Sequence, residues 1–198
     1  MNTVDTEYKG YLFRSRLEAR WAIFFDACGV AWEYEPEAYD LGSGLCYVPT
    51  FLLHGVDGRC GGDLFVDVKE RMDALDALKI KEFVKQGMPP DGEYGKSSTA
   101  VLVVGRLPEG DCAQDITNDI CNRAYSNGKP WIPNEFNFET IDGDHFAAHP
   151  GINKKGQFEL FGDDSSYLCD QDDEATENAY RRARQARFES VMGRVRHA

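Results

Sequence analysis

The chain has 198 residues, 42% of them hydrophobic, 12% aromatic and 28% charged. That length and balance fit one globular domain, or one domain with an appendage, and exclude a collagen-like, low-complexity or disulfide-scaffold protein. A formal charge of −12 argues against loose nucleic-acid binding over the whole surface. No apolar run reaches the roughly 18 residues that a spanning helix needs. The opening Met1-Asn2-Thr3-Val4-Asp5 has no basic-then-apolar leader, so a cytoplasmic location with no membrane partner is the expectation.

Tyr8 to Phe13 reads as a short strand or ordered arm. Ser15-Arg16-Leu17-Glu18 then fits the S-x-x-E capping box. Leu17, Trp21, Phe24, Phe25 and Cys28 follow at helical spacing, and Gly29 is a natural stop. Trp32 to Tyr34 predicts a strand, broken by Glu35-Pro36-Glu37. Tyr47 to Leu53 predicts the next strand, and Gly55 to Gly62, with four glycines, a hairpin turn or longer loop. Leu64 to Lys69 is the returning strand, Met72 to Gln86 a helix, and Thr99 to Gly105 a strand apolar on both faces. Asp111 to Ser126 reads as a helix. Phe136 to Thr140, His145 to Ala147 and Gln157 to Leu160 read as short strands, and Asp173 to Met192 as a polar helix. The order helix, hairpin, helix, central strand predicts an α/β (α+β) fold with a mixed sheet flanked by helices. Residues 1–160 form the expected domain. Residues 161–198 add an acidic segment and a basic C-terminal helix.

The six cysteines form no CxxC pair and have no histidine at zinc-finger spacing, so free thiols are expected. The charge is uneven. Six acids and no bases lie between Phe161 and Glu174, whereas six arginines face one glutamate between Arg181 and Ala198. Arg181, Arg184 and Arg187 form either a solvated helix face or a phosphate-contacting patch.

Chemistry gathers at Glu18, Asp67 and Lys69. Side chains alternate along a strand, so Asp67 and Lys69 share one face, opposite Leu64, Val66 and Val68. Magnesium takes few protein carboxylates and fills its octahedron with water and substrate phosphate. A metal-dependent nuclease therefore brings two or three acids together from different elements, with a cation to stabilise developing charge. Plainer roles compete: Glu18 as the third-position acid of its capping box, Asp67–Lys69 as a strand-end ion pair, Asp63, Glu70, Asp73 and Asp76 as surface acids, and His54 as an exposed loop residue.

The run Tyr8-Lys9-Gly10, Phe13-Arg14-Ser15-Arg16-Leu17-Glu18-Ala19-Arg20-Trp21 resembles the opening of small phage and prophage proteins of the PD-(D/E)xK nuclease superfamily. Phe24-Phe25-Asp26, Trp32-Glu33-Tyr34-Glu35-Pro36-Glu37, Tyr47-Val48-Pro49, Asp67-Val68-Lys69, Val101 to Leu107 and Ala183 to Glu189 continue the resemblance. It implies a restriction-endonuclease-like fold, metal-dependent DNA phosphodiester hydrolysis, and Mg2+ or Mn2+ as cofactor. Glu18, Asp67 and Lys69 would be the catalytic residues, with Glu18 and Asp67 as metal ligands. It departs from the family at Pro49-Thr50, where the family carries Pro-Asp and the metal's main ligand. A neutral hydroxyl is a poor substitute for a carboxylate on a hard dication, so the cofactor is expected to be weakly held or absent. Two functions follow. One is an impaired nuclease acting on DNA. The other is an inactive nuclease-fold protein in the host cytoplasm that binds a host defence or DNA-processing protein, an anti-defence role suited to an acidic, DNA-like surface.

Overall fold

Successive side chains of Val101–Val104 enter two different cores. Leu102 and Val104 join one apolar cluster, Val101 and Val103 another. That alternation is the period of a strand covered on both faces, as the unbroken apolar run predicts. The computed structural model describes residues 6–56, 62–70, 73–86, 101–108, 137–139, 145–162 and 170–188. The predicted helix at Asp111 to Ser126 lies outside them.

The fold is mixed α/β. In chain order the elements are β1 (Thr6–Tyr8), β2 (Tyr11–Phe13), α1 (Arg16–Ala27), β3 (Ala31–Tyr34), β4 (Tyr39–Gly42), β5 (Leu45–Tyr47), β6 (Phe51–Val56), β7 (Gly62–Val68), α2 (Ala74–Gln86), β8 (Val101–Val104), β9 (Asn137–Glu139), β10 (His145–Ile152), β11 (Phe158–Gly162) and α3 (Asp173–Gln185). Seven strands make one sheet in the order β11-β10-β9-β8-β7-β6-β3. Only β7 and β8 run parallel, joined through α2; the other pairs are antiparallel.

Helices α1 and α3 cover one face. Trp21, Ala22, Phe24 and Phe25 of α1 and Ala179, Tyr180 and Ala183 of α3 share a core with Phe51, Leu53, Leu64, Val66 and Val68. Phe24 stacks on Tyr180 with ring centroids 4.3 Å apart, and the Trp21 indole donates to the Gly105 carbonyl at 2.9 Å. The other face is covered by α2 and the β4–β5 hairpin, through Leu41, Tyr47, Ile80 and Phe83 with Val101, Val103 and Phe65. The polar C-terminal helix is thus a core element: its Thr176, Ala179, Tyr180 and Ala183 are buried.

The arm from Tyr8 to Phe13 is a hairpin, turning through Lys9 (φ 50°) and Gly10 (φ 83°). Consecutive positive φ values suit the right-handed twist of a tight hairpin. The predicted strand from Tyr47 to Leu53 divides. β5 ends at Tyr47, Pro49 brings no N–H to a ladder, and β6 begins after Thr50. The β4–β5 hairpin is an addition to the sequence reading. β10 extends to Ile152, beyond the expected Ala147.

Candidate functional site

Ser15 caps α1: its hydroxyl accepts from the Glu18 N–H at 3.1 Å. The Glu18 carboxylate reaches back and accepts from the Arg14 N–H at 3.1 Å, one residue earlier than in a standard box, and from the Tyr34 hydroxyl at 2.8 Å. Arg14 Nε lies 3.8 Å from Glu18 and 2.8 Å from Glu35. Glu18 is only 7% exposed. The capping role read from its spacing is present, with Tyr34 of β3 added to it.

Asp67 ends its run on the α2 face of β7 and is 2% exposed. One carboxylate oxygen accepts from the Thr50 hydroxyl at 3.0 Å. The other accepts from the Tyr47 hydroxyl at 3.3 Å and lies 3.6 Å from Lys69 Nζ. The Thr50 oxygen in turn accepts from the Val68 N–H at 3.1 Å. Thr50 therefore has its acceptor role occupied by backbone and turns its proton toward Asp67. This tethers the segment leading into β6 to the end of β7.

Lys69 is clamped twice: its ammonium donates to Asp76 at 3.0 Å as well as approaching Asp67. Asp76 also completes the cap of α2. Asp73 accepts from the Leu75 and Asp76 N–H groups, and Asp76 accepts from the Asp73 N–H at 3.2 Å. Burial pushes the Asp67 carboxyl above its ordinary range, opposed by Lys69, Thr50 and Tyr47. Burial works against the Lys69 ammonium, but Asp67 and Asp76 outweigh it and raise its proton affinity. Burial and the Asp67 charge hold the Tyr47 phenol well above its usual value. Lys69, Thr50 and Tyr47 favour the ionised form of Asp67, while burial and the Asp76 charge oppose it.

The structure brings Thr50, Asp67 and Lys69 together. Tyr47 and Asp76 also belong to this cluster; Asp73-x-x-Asp76 was legible as a capping pattern, and Asp76 is more than a surface acid. Glu18 sits on α1, whose apolar face packs on the side of the sheet opposite Phe65 and Val103, and its carboxylate engages Arg14 and Tyr34. Arg14 is the electrostatic link, for its charge opposes protonation of Lys69. Among the described residues no three His, Cys, Asp or Glu side chains are grouped so as to hold a metal ion. The groups facing Asp67 are the Thr50 and Tyr47 hydroxyls and the Lys69 ammonium, which also pairs with the Asp76 carboxylate; a neutral threonine hydroxyl suits a hard dication poorly.

Arg181, Arg184 and Arg187 do not present one free basic face. Arg181 pairs with Asn178 at 2.9 Å and Glu177 at 3.7 Å. Arg184 donates to the Pro108 carbonyl, tying α3 to the segment after β8. Arg187 is exposed beyond the helix end. Residues 163–169 of the acidic segment lie outside the described residues. His54 is a strand residue of β6 rather than a loop residue. No helix among the described residues is long and apolar enough to cross a membrane. No protein-family model, curated protein or solved structure matches this chain.

Proposed function

We propose that this protein is a non-catalytic member of the restriction-endonuclease-like class that acts by binding, its partner being a basic DNA-binding protein of host defence or DNA processing. The observation that carries this reading is the closure of the Asp67 site. Thr50, Tyr47 and Lys69 face its two oxygens, so the acid-x-lysine pair serves as an internal tether. An acid committed in this way has lost the open coordination that hydrolysis through a hard cation requires. The charge of −12 supports a basic protein partner over DNA itself, since acidic surfaces steer and orient cationic partners. The retained side-by-side placement of Asp67 and Lys69 favours one other reading, a residual nuclease.

The two part in a cleavage assay on single-stranded, duplex and branched DNA with magnesium or manganese. The expected result is no cleavage above that of a folded Asp67→Ala/Lys69→Ala variant, together with competition between this protein and DNA for a basic DNA-binding protein. Cleavage by the unmodified chain that disappears in the folded double variant overturns the proposal.

A further inference from the structure

Three neighbouring strands at one margin of the sheet, β3, β6 and β7, each place one titratable side chain on the same face. His54 of β6 stands between Glu33 of β3 and Asp63 of β7. Its Nε2 is 2.9 Å from Glu33 Oε1, and its Nδ1 is 3.2 Å from Asp63 Oδ2. The other Asp63 oxygen accepts from the Gly55 N–H at 3.1 Å. A neutral imidazole has one N–H and one lone pair. Set between two carboxylates, it can donate to one only, and its lone pair then faces the negative oxygens of the other. An imidazolium donates to both. The geometry therefore selects the charged ring.

We propose that His54 is a proton-operated clasp that fastens the outer strand β3 to β6 and β7, and that deprotonation loosens β3. The clasp operates whether or not the Asp67 site is catalytic. Its consequence nevertheless reaches that region. Among the described residues β3 is the terminal strand of the sheet, paired to β6 alone through Ala31–Tyr34. It carries the Tyr34 hydroxyl that holds Glu18, and Glu35, which holds Arg14, follows at once. Loosening β3 withdraws the Tyr34 and Glu35 partners from Glu18 and Arg14 at the start of α1.

The charged groups facing the ring come from both flanking strands: Glu33 on β3 and Asp63 on β7. Burial, then Glu37 and Glu33, raise the proton affinity of the Tyr39 phenol of β4. Asp63, first through bonding and then with Glu33, raises the His54 proton affinity above its ordinary value of 6.5. The Gly55 N–H and His54 lower that of Asp63. The histidine's contribution to stability is fully present below its unfolded pKa and is lost as pH rises through the higher folded one. The aspartate's contribution is present above its unfolded pKa and is lost as pH falls through the lower folded one. The clasp is thus closed below the ordinary histidine pKa of 6.5 and opens as pH rises through the higher folded one.

The test begins with an NMR pH titration of the imidazole resonances of the intact chain, His54 being assigned with His54→Gln. The expected His54 midpoint lies above 6.5 and falls by about half a unit or more in Glu33→Gln and in Asp63→Asn, one opposite charge being removed in each. Amide exchange of Ala31–Tyr34, corrected for its intrinsic pH dependence, should accelerate as pH rises through the His54 midpoint in the native chain. It should stay flat in His54→Gln. An ordinary His54 midpoint that neither variant moves overturns the proposal. So does β3 exchange with the same pH dependence in His54→Gln as in the native chain.

Discussion

Thr50 is the position where a single hydroxyl distinguishes a tether from a metal ligand. Thr50→Val keeps the shape and removes the polar atom. Two bonds are lost at a residue 1% exposed: the donation to Asp67 at 3.0 Å and the acceptance from the Val68 N–H at 3.1 Å. A hydrogen bond to a buried charge contributes ~1.5–3 kcal/mol, and a stranded buried N–H costs ~1–3 kcal/mol. Because the two effects share one atom they are not fully additive, and a loss of about 2–5 kcal/mol is expected. Against a typical total of ~5–15 kcal/mol this is large. The melting point should fall by roughly 4–20 °C, at ~2–4 °C per kcal/mol for a chain of this size. Urea unfolding should show a lower midpoint at unchanged slope. Thr50→Asp supplies the counter-experiment. Without metal it sets a second carboxylate against buried Asp67 and loses the same donor, so it should be at least as unstable. Manganese at a hundredfold excess over its Kd should then restore about 2.7 kcal/mol. The native chain should show no manganese-dependent rise. A loss below about 0.5 kcal/mol in Thr50→Val, within the range of ordinary surface substitutions, would refute the tether. An equal manganese response in both chains would show that a cation already shares Asp67.

Trp21→Phe strands the Gly105 carbonyl that the indole reaches at 2.9 Å and leaves a void in the core, so a loss of about 2–4 kcal/mol is expected in the same urea assay. Glu18→Ala removes the acceptor shared by the Arg14 N–H and the Tyr34 hydroxyl and should cost about 1–3 kcal/mol; Ser15→Ala should cost about 1 kcal/mol. Among the three arginines, Arg184→Gln should destabilise by about 1–2 kcal/mol because its partner is the Pro108 carbonyl. Arg181→Gln and Arg187→Gln should stay within about 0.5 kcal/mol. Binding of duplex DNA at low salt that weakens in the triple Arg181→Gln/Arg184→Gln/Arg187→Gln variant, with a flatter salt dependence, would return the tail to a phosphate-binding role.

Local chemistry determined much of this protein from its sequence. The S-x-x-E box placed the start of α1, Gly29 its end, and the 3.6-residue stripe its buried face, because these signals act between residues a turn or less apart. The alternation in Leu64 to Lys69 placed Asp67 and Lys69 on one face, and the unbroken apolar run of β8 announced a strand covered on both sides. The tertiary structure decided what those side chains meet. That Tyr47 and Asp76 close around Asp67 and Lys69 depends on a hairpin and a helix cap folding over the same face, which no spacing along the chain encodes. That Glu18 meets Tyr34 follows from the packing of α1 beside β3. The polar helix Asp173–Gln185 becomes a core element because its small residues and Tyr180 align on one stripe against α1. His54 acquires its two carboxylates from strands 21 residues before it and 9 after it. Register across a sheet brings such residues together, and register is a property of the assembled strands.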